Sequence, residues 1–146
     1  MIGDRSLLEN IENAVDAIEV AYKSGSKLLL AGNGGSAGDA QHIAAEFVSR
    51  FFYDRPGLPA IALTTDTSMI TAIGNDYGFE QLFSRQVQAQ GRKGDIFIGI
   101  STSGKSKNVI NAVHEAKKRG IITVGLCGSL GELSRLVDIS LSVPSI

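Results

Sequence analysis

The chain has 146 residues, is 43% hydrophobic and 20% charged, and carries 14 basic against 15 acidic residues for a formal net charge of −1. That balance excludes a mainly disordered chain, and with no basic excess and no Trp there is no expectation of a nucleic-acid partner. The lone Cys127 excludes an internal disulfide and a cysteine-based zinc site, and without a signal-like start (MIGDRSLLEN) or an apolar run of ~18 residues the chain is expected to be cytoplasmic, with no membrane partner.

The length suits one domain spanning 1–146. Leu7, Leu8, Ile11, Ala14, Val15 and Ile18 recur at helical spacing, predicting an amphipathic helix from Ser6 to Lys23 that ends at Gly25. Lys27 to Ala31 is a short apolar run, expected as a buried strand. Gly32-Asn-Gly-Gly35 follows as a tight turn. Ser36 is expected to cap a helix running to about Phe52, with Ala40, Ile43, Ala44, Phe47 and Val48 on its apolar side.

A second strand is expected at Ala60–Leu63, then short helices near Thr67–Ile73 and Phe79–Gln90. Asp95–Ile100 reads as the third strand, Ser101–Gly104 as a turn and Ser106–Arg119 as a helix. A fourth strand is expected at Ile121–Leu126, a short helix at Gly131–Leu136 and a fifth strand at Ile139–Val143. Strands apolar on both faces, alternating with helices, predict an α/β protein with a five-stranded parallel sheet and helices on both faces. Ligands of such sheets bind beyond the carboxyl ends of the strands, where strand order reverses. Three loops leave strands there: Gly32–Ser36, Thr64–Thr67 and Ser101–Ser106.

Ser101-Thr-Ser-Gly-Lys-Ser106 joins a strand to a helix start. Free backbone N–H groups and the helix dipole attract an anion there, and four hydroxyls exceed what one cap needs. Phosphate binding is the expectation. Gly99 to Ser106 also matches the nucleotide P-loop pattern G-x-x-x-x-G-K-[ST]. Gly99 falls inside the strand DIFIGI, however, which leaves too short a loop to wrap a polyphosphate. Gly32-Asn-Gly-Gly-Ser-Ala37 fits a loose dinucleotide fingerprint, but no acidic residue stands at the expected distance at the end of the second strand.

His42 and Glu46 lie four apart on one helix face, with Asp39 on the same side. Such a pair suits part of a metal site, Glu46 also suits a general base, and a solvated helix face has the same spacing. Asn75-Asp-Tyr-Gly78 is a turn by composition, although Asn and Asp also bind sugar hydroxyls. His114 flanks the apolar stripe of its helix and is read as a surface residue.

The segments AGNGGSAGDAQHIAAEFVSRF, RPGLPAIALTTDTSMITAIGNDYGFEQLFSRQV and GDIFIGISTSGKS resemble the sugar isomerase (SIS) domain family, and within it the phosphoheptose isomerases. The likeness runs from about Ser24 to Ser145. It implies a flavodoxin-like three-layer fold in a homotetramer with sites at subunit interfaces. The activity implied is aldose–ketose isomerisation of sedoheptulose 7-phosphate to D-glycero-D-manno-heptose 7-phosphate, opening activated-heptose synthesis for lipopolysaccharide or surface glycans. The residues implied to contact this sugar phosphate are Asn33, Gly34, Gly35, Glu46, Asn75, Asp76, Ser101, Thr102, Ser103 and Ser106, with the serine loop on the phosphate. One zinc ion per site is implied on His42 and Glu46, with Glu46 also in the proton transfer. Members of the family continue past Val-Pro-Ser into a helix bearing a Gln and a His, so the remaining ligands and a second acid/base group are expected beyond Ile146. They also carry more helix before the first strand. The alternative is a non-catalytic SIS module that binds a sugar phosphate or a replication initiator. The carboxylate at Glu46 favours the enzyme.

Overall fold

The computed structural model describes residues 4–144; Met1–Gly3, Ser145 (the far end of the resemblance) and Ile146 lie outside the described residues. In chain order the elements are α1 Arg5–Lys23, β1 Leu28–Gly32, α2 Gly35–Val48, β2 Ala60–Ala62 and α3 Thr67–Asp76. A 3₁₀ turn at Phe79–Gln81 leads into α4 Leu82–Gln90, followed by β3 Ile96–Ser101, α5 Lys107–Lys118, β4 Ile122–Gly128, α6 Glu132–Leu136 and β5 Ile139–Val143.

The five strands form one parallel sheet in the order β2-β1-β3-β4-β5. Leu28 sits between Ala60 and Ile96, and Ile96 in turn faces Ile122. Alternate strand residues feed two cores, as the two-residue period of a strand requires. Leu28, Leu30, Ile96, Ile98 and Val124 pack with Ala14 and Ala21 of α1 and Ala40 and Ala44 of α2. Leu29, Ala31 and Phe97 pack on the opposite face with Val109, Val113 and Ala116 of α5, Phe83 and Val87 of α4, and Leu133 of α6.

This arrangement has its topological switch point between β1 and β3. The chain leaves β1 through α2 toward β2 on one side, and leaves β3 through α5 toward β4 on the other. The crevice predicted for ligands therefore opens where the β1–α2 and β3–α5 loops diverge. At the opposite end of the sheet the buried Asp95 carboxylate accepts the Lys27 and Arg92 backbone N–H groups at 3.0 and 2.8 Å and pairs with the Lys27 ammonium at 2.6 Å. That network pins the amino ends of β1 and β3.

Three expectations need correction. Ser36 does not cap α2: Gly34, at φ +56°, occupies the cap position and no side chain caps the helix, so α2 begins one residue before Ser36. The same helix stops at Val48 rather than about Phe52. Arg55 folds back and donates to the carbonyls of Glu46 and Phe47 at 2.9 Å each, replacing helical partners at that end. Asn75 and Asp76 are not in a turn; they form the last residues of α3, and the turn falls on Tyr77-Gly78, where Gly78 has φ +93°.

Candidate functional site

The β1–α2 loop is built from residues whose backbone must come close to its surroundings. A Cβ on Gly32 would lie 2.7 Å from the Ser36 carbonyl oxygen, so this turn admits only glycine. Its neighbour in space, the serine loop, spans only Thr102 to Ser106 between the end of β3 and the start of α5. Gly99 lies inside β3, and a Cβ there would meet the Val109 side chain at 2.7 Å. Gly99 thus serves helix packing, and the nucleotide P-loop reading fails on geometry.

Side-chain caps close α1 and α3 but not α2, α4, α5 or α6. Asp4 caps α1 by accepting the Ser6 and Leu7 N–H groups, and Asp66 caps α3 by accepting the Met69 N–H at 2.9 Å. No side chain caps α2 or α5. At the start of α2 the Ser36 and Ala37 N–H groups bond to the Asn33 and Gly34 carbonyls at 2.9 and 3.0 Å, whereas the first N–H groups of α5 are left to an incoming anion, with that helix's dipole behind them. In the serine loop, buried Ser101 and half-buried Ser106 share a hydroxyl–hydroxyl hydrogen bond of 2.9 Å. Exposed Ser103 accepts the Lys105 backbone N–H at 3.2 Å, which leaves its hydroxyl proton free to donate. Thr102 is exposed beside it.

A second backbone segment supports this loop. Leu133 donates its N–H to the Gly104 carbonyl at 3.0 Å, and Gly128 donates to the Thr102 carbonyl at 3.1 Å. A cleft of about 270 Å³ lies over the carboxyl ends of β3, β4 and β5, lined by Thr102, Cys127, Gly128 and, from α2, Ser36 and Asp39. Burial pushes the Cys127 thiol up, with smaller opposing effects from Ser142 and Ser140, so it is a neutral wall residue there rather than a nucleophile. A smaller notch of about 120 Å³ on the other side of the glycine loop is lined by Gly32, Asn33, Gly34 and Thr64.

Asn33, Gly34, Gly35, Ser101, Thr102, Ser103 and Ser106 are therefore brought to one end of the sheet by β1, β3 and the two helices that follow them. Asn75 and Asp76 lie exposed at the end of α3, the Asn75 amide donating to Asp76 Oδ1 at 3.1 Å. His42 Nε2 stands 3.2 Å from Glu46 Oε1 on α2. Eleven residues separate Gly35 from Glu46, which is ~16 Å of helix rise. Glu46 accordingly lines a different hollow, an apolar one of about 280 Å³ with Ile43, Phe47, Phe51 and Arg55. An imidazole nitrogen and a carboxylate oxygen are both zinc donors, so the pair fits half of a four-ligand set. Among the described residues no three His, Cys, Asp or Glu side chains cluster to complete it. His114 is exposed, as expected.

The sequence reading missed Asn108, which is 3% exposed and bonded to Asn33, and Arg55, which clamps the end of α2 that carries Glu46. Asn108 looked like one more polar residue in the first turn of a helix; only the crossing of β1 and β3 brings it to Asn33.

The SIS domain family model matches residues 4–128. A phosphoheptose isomerase of Aneurinibacillus thermoaerophilus is 63% identical over 99% of this chain and 74% of its own length. A phosphoheptose isomerase structure from Neisseria gonorrhoeae superimposes with TM-score 0.89 at 46% identity, over 96% of this chain and 75% of that one. One from Francisella tularensis gives TM-score 0.91 at 43% identity, over 97% and 76%. No helix of the described residues is long and apolar enough to cross a membrane. With the glycine loop, the serine loop and the 2-1-3-4-5 sheet all in place, the chain belongs to the phosphoheptose isomerases of the SIS domain family.

Proposed function

We propose that this isomerase interconverts sedoheptulose 7-phosphate and D-glycero-D-manno-heptose 7-phosphate, the entry to activated heptose for lipopolysaccharide or other surface glycans. The observation that carries the reading is the start of α5, which no side chain caps, at the switch point beside the glycine loop, with the free hydroxyl proton of Ser103 next to it. The 7-phosphate sits on that serine loop, held by Ser101, Thr102, Ser103, Ser106 and the first N–H groups of α5. Asn33, Gly34 and Gly35 approach the sugar, with Asn75 and Asp76 on its hydroxyls.

Glu46 is the acid/base group. It removes a proton from C1 of the ketose as O2 gains one from the second acid/base group, giving an enediol, and returns the proton to C2 as O1 gives its own back to that group, leaving the aldehyde at C1. The ~16 Å of helix between Glu46 and the glycine loop favours a site shared between copies, in which Glu46 of one copy serves sugar held on another. Exposed apolar side chains suit such an assembly: Leu8, Ile11 and Val15 form a row on α1, and Phe51, Phe52 and Tyr53 follow α2. A homotetramer in the cytoplasm is our reading. His42 and Glu46 would hold a zinc ion, with its remaining ligands from a segment beyond Ile146. When bound, zinc supplies Lewis-acid polarisation of the carbonyl oxygen.

The test is aldose formation from sedoheptulose 7-phosphate, with zinc content measured alongside. Glu46→Gln should lose about 10²–10⁴-fold in turnover while still binding the sugar phosphate. Binding without any turnover by a chain that carries the segment beyond Ile146 would instead favour the non-catalytic module, and unchanged turnover in Glu46→Gln would remove Glu46 from the chemistry.

A further inference from the structure

Asn33 and Asn108 form a closed pair. Asn33 Nδ2 donates to Asn108 Oδ1 at 2.8 Å, and Asn108 Nδ2 donates to Asn33 Oδ1 at 2.9 Å. Asn33 follows β1 on the way into α2, and Asn108 lies in the first turn of α5. Those two helices pack on opposite faces of the sheet. The two amides therefore join the glycine loop to the serine-loop helix across the switch-point crevice, where the substrate is to lie.

From this geometry we infer that Asn108 is a positioning residue for the isomerase: it fixes the carboxamide of Asn33 so that its remaining donor and acceptor meet the sugar. The inference rests on the reading of Asn33 as a substrate contact. Each carboxamide has two N–H groups and one oxygen with two lone pairs. The pair consumes one N–H and one lone pair of each, so Asn33 keeps one of each for a sugar hydroxyl. A free Asn side chain would have to be immobilised on binding; one held by two hydrogen bonds has already lost that freedom. The pair is also neutral. An acid at position 108 would put an acceptor against Asn33 Oδ1 and a negative charge beside the phosphate loop.

The same logic separates the two ends of the ligand. Asn108 acts on the sugar end through Asn33, whereas the phosphate end keeps its hydroxyls and N–H groups when the amide is removed. Asn108→Ala should thus lower kcat/KM for the heptose phosphate about 10-fold, mostly through KM, as expected for two neutral hydrogen bonds. Inhibition by inorganic phosphate should stay within about twofold. Asn33→Ala should cost about 10-fold in the wild-type background and little once Asn108 is already Ala, because the two act as one unit. Asn108→Ser keeps a small neutral side chain too short to close the pair, and should lose about as much as Asn108→Ala. It keeps the test open if the alanine variant folds poorly.

Additive losses in the two-residue cycle, with wild-type turnover intact, would overturn the role of Asn108 alone. So would a parallel loss of inorganic phosphate binding in both variants, since that marks a collapsed helix start. A wild-type chain that neither binds nor isomerises heptose phosphate removes the reading of Asn33 and this role with it.

Discussion

Gly131 lies against Gly104 backbone to backbone: a Cβ on Gly131 would stand 2.4 Å from the Gly104 Cα and 2.5 Å from the Ser103 carbonyl oxygen. No side chain mediates the contact. The β4–α6 turn is itself the wall that holds the serine loop in shape, and Gly104, at φ +66°, turns beneath it in a conformation that favours glycine.

Gly131→Ala should therefore push the serine loop out of place. We expect a loss of about 1–3 kcal/mol in stability, as for an overpacked core, and weaker binding of inorganic phosphate as well as of the sugar phosphate. Gly38 is the control. It sits inside α2 with nothing within 4 Å of its Cβ position. Gly38→Ala should stabilise by about 0.5–1 kcal/mol through helix propensity. Thermal melts of the two variants with and without phosphate decide the matter; equal effects from both would show that contact with Gly104 is unimportant.

Ser103 is the hydroxyl of the serine loop best placed to donate to a ligand. Its oxygen already accepts the Lys105 N–H, while Ser101 and Ser106 spend one of their two protons on each other. A hydrogen bond to a charged group contributes roughly 1.5–3 kcal/mol, so Ser103→Ala should weaken sugar-phosphate binding by about 10- to 150-fold. The melting temperature without ligand should change little, because Ser103 is exposed. Calorimetric titration of both proteins with the sugar phosphate tests this, and matched affinities would take Ser103 out of the site.

The sheet was legible because its strands are near-continuous apolar runs. The helices were legible where side chains repeat at 3.6 residues, and α1, α5 and β5 fall close to where periodicity puts them. Misplacements arose where the backbone overrode side-chain signals. Gly34 started α2 in place of Ser36 because a left-handed turn needs no hydroxyl. Arg55, eight residues from Phe47, ended it early. Asn75 and Asp76 stayed helical because Gly78, not they, supplies the positive φ. Within the candidate site, the serine loop as a strand-to-helix turn was readable from local composition alone. The Asn33–Asn108 pair was not, since 75 residues separate its members and only the order of β1 and β3 brings them together.

Part of the acid stability of the fold rests on Asp138, just before β5. Burial pushes its carboxyl upward, but the Thr123 backbone N–H at 2.8 Å, the Thr123 hydroxyl at 2.9 Å and the Lys117 ammonium outweigh that, and the net shift is downward. Thr123 is fully buried, so without the carboxylate its N–H and hydroxyl lose their acceptor at the entry to β5. Asp138→Ala should cost about 1–2 kcal/mol at neutral pH. The sign with pH follows from the depressed folded value: the unfolded chain binds the proton more readily, so the contribution is complete above the ordinary Asp range and drains away as pH falls through the folded value. The melting-temperature gap between wild type and Asp138→Ala should be constant from pH 8 to about 5 and should narrow below about 4. Lys117→Ala should cost under about 1 kcal/mol, because that ion pair is 3.6 Å long and exposed on both sides. A gap that stays unchanged down to about pH 3 would mean that the charge on Asp138 contributes nothing to holding β5 against β4.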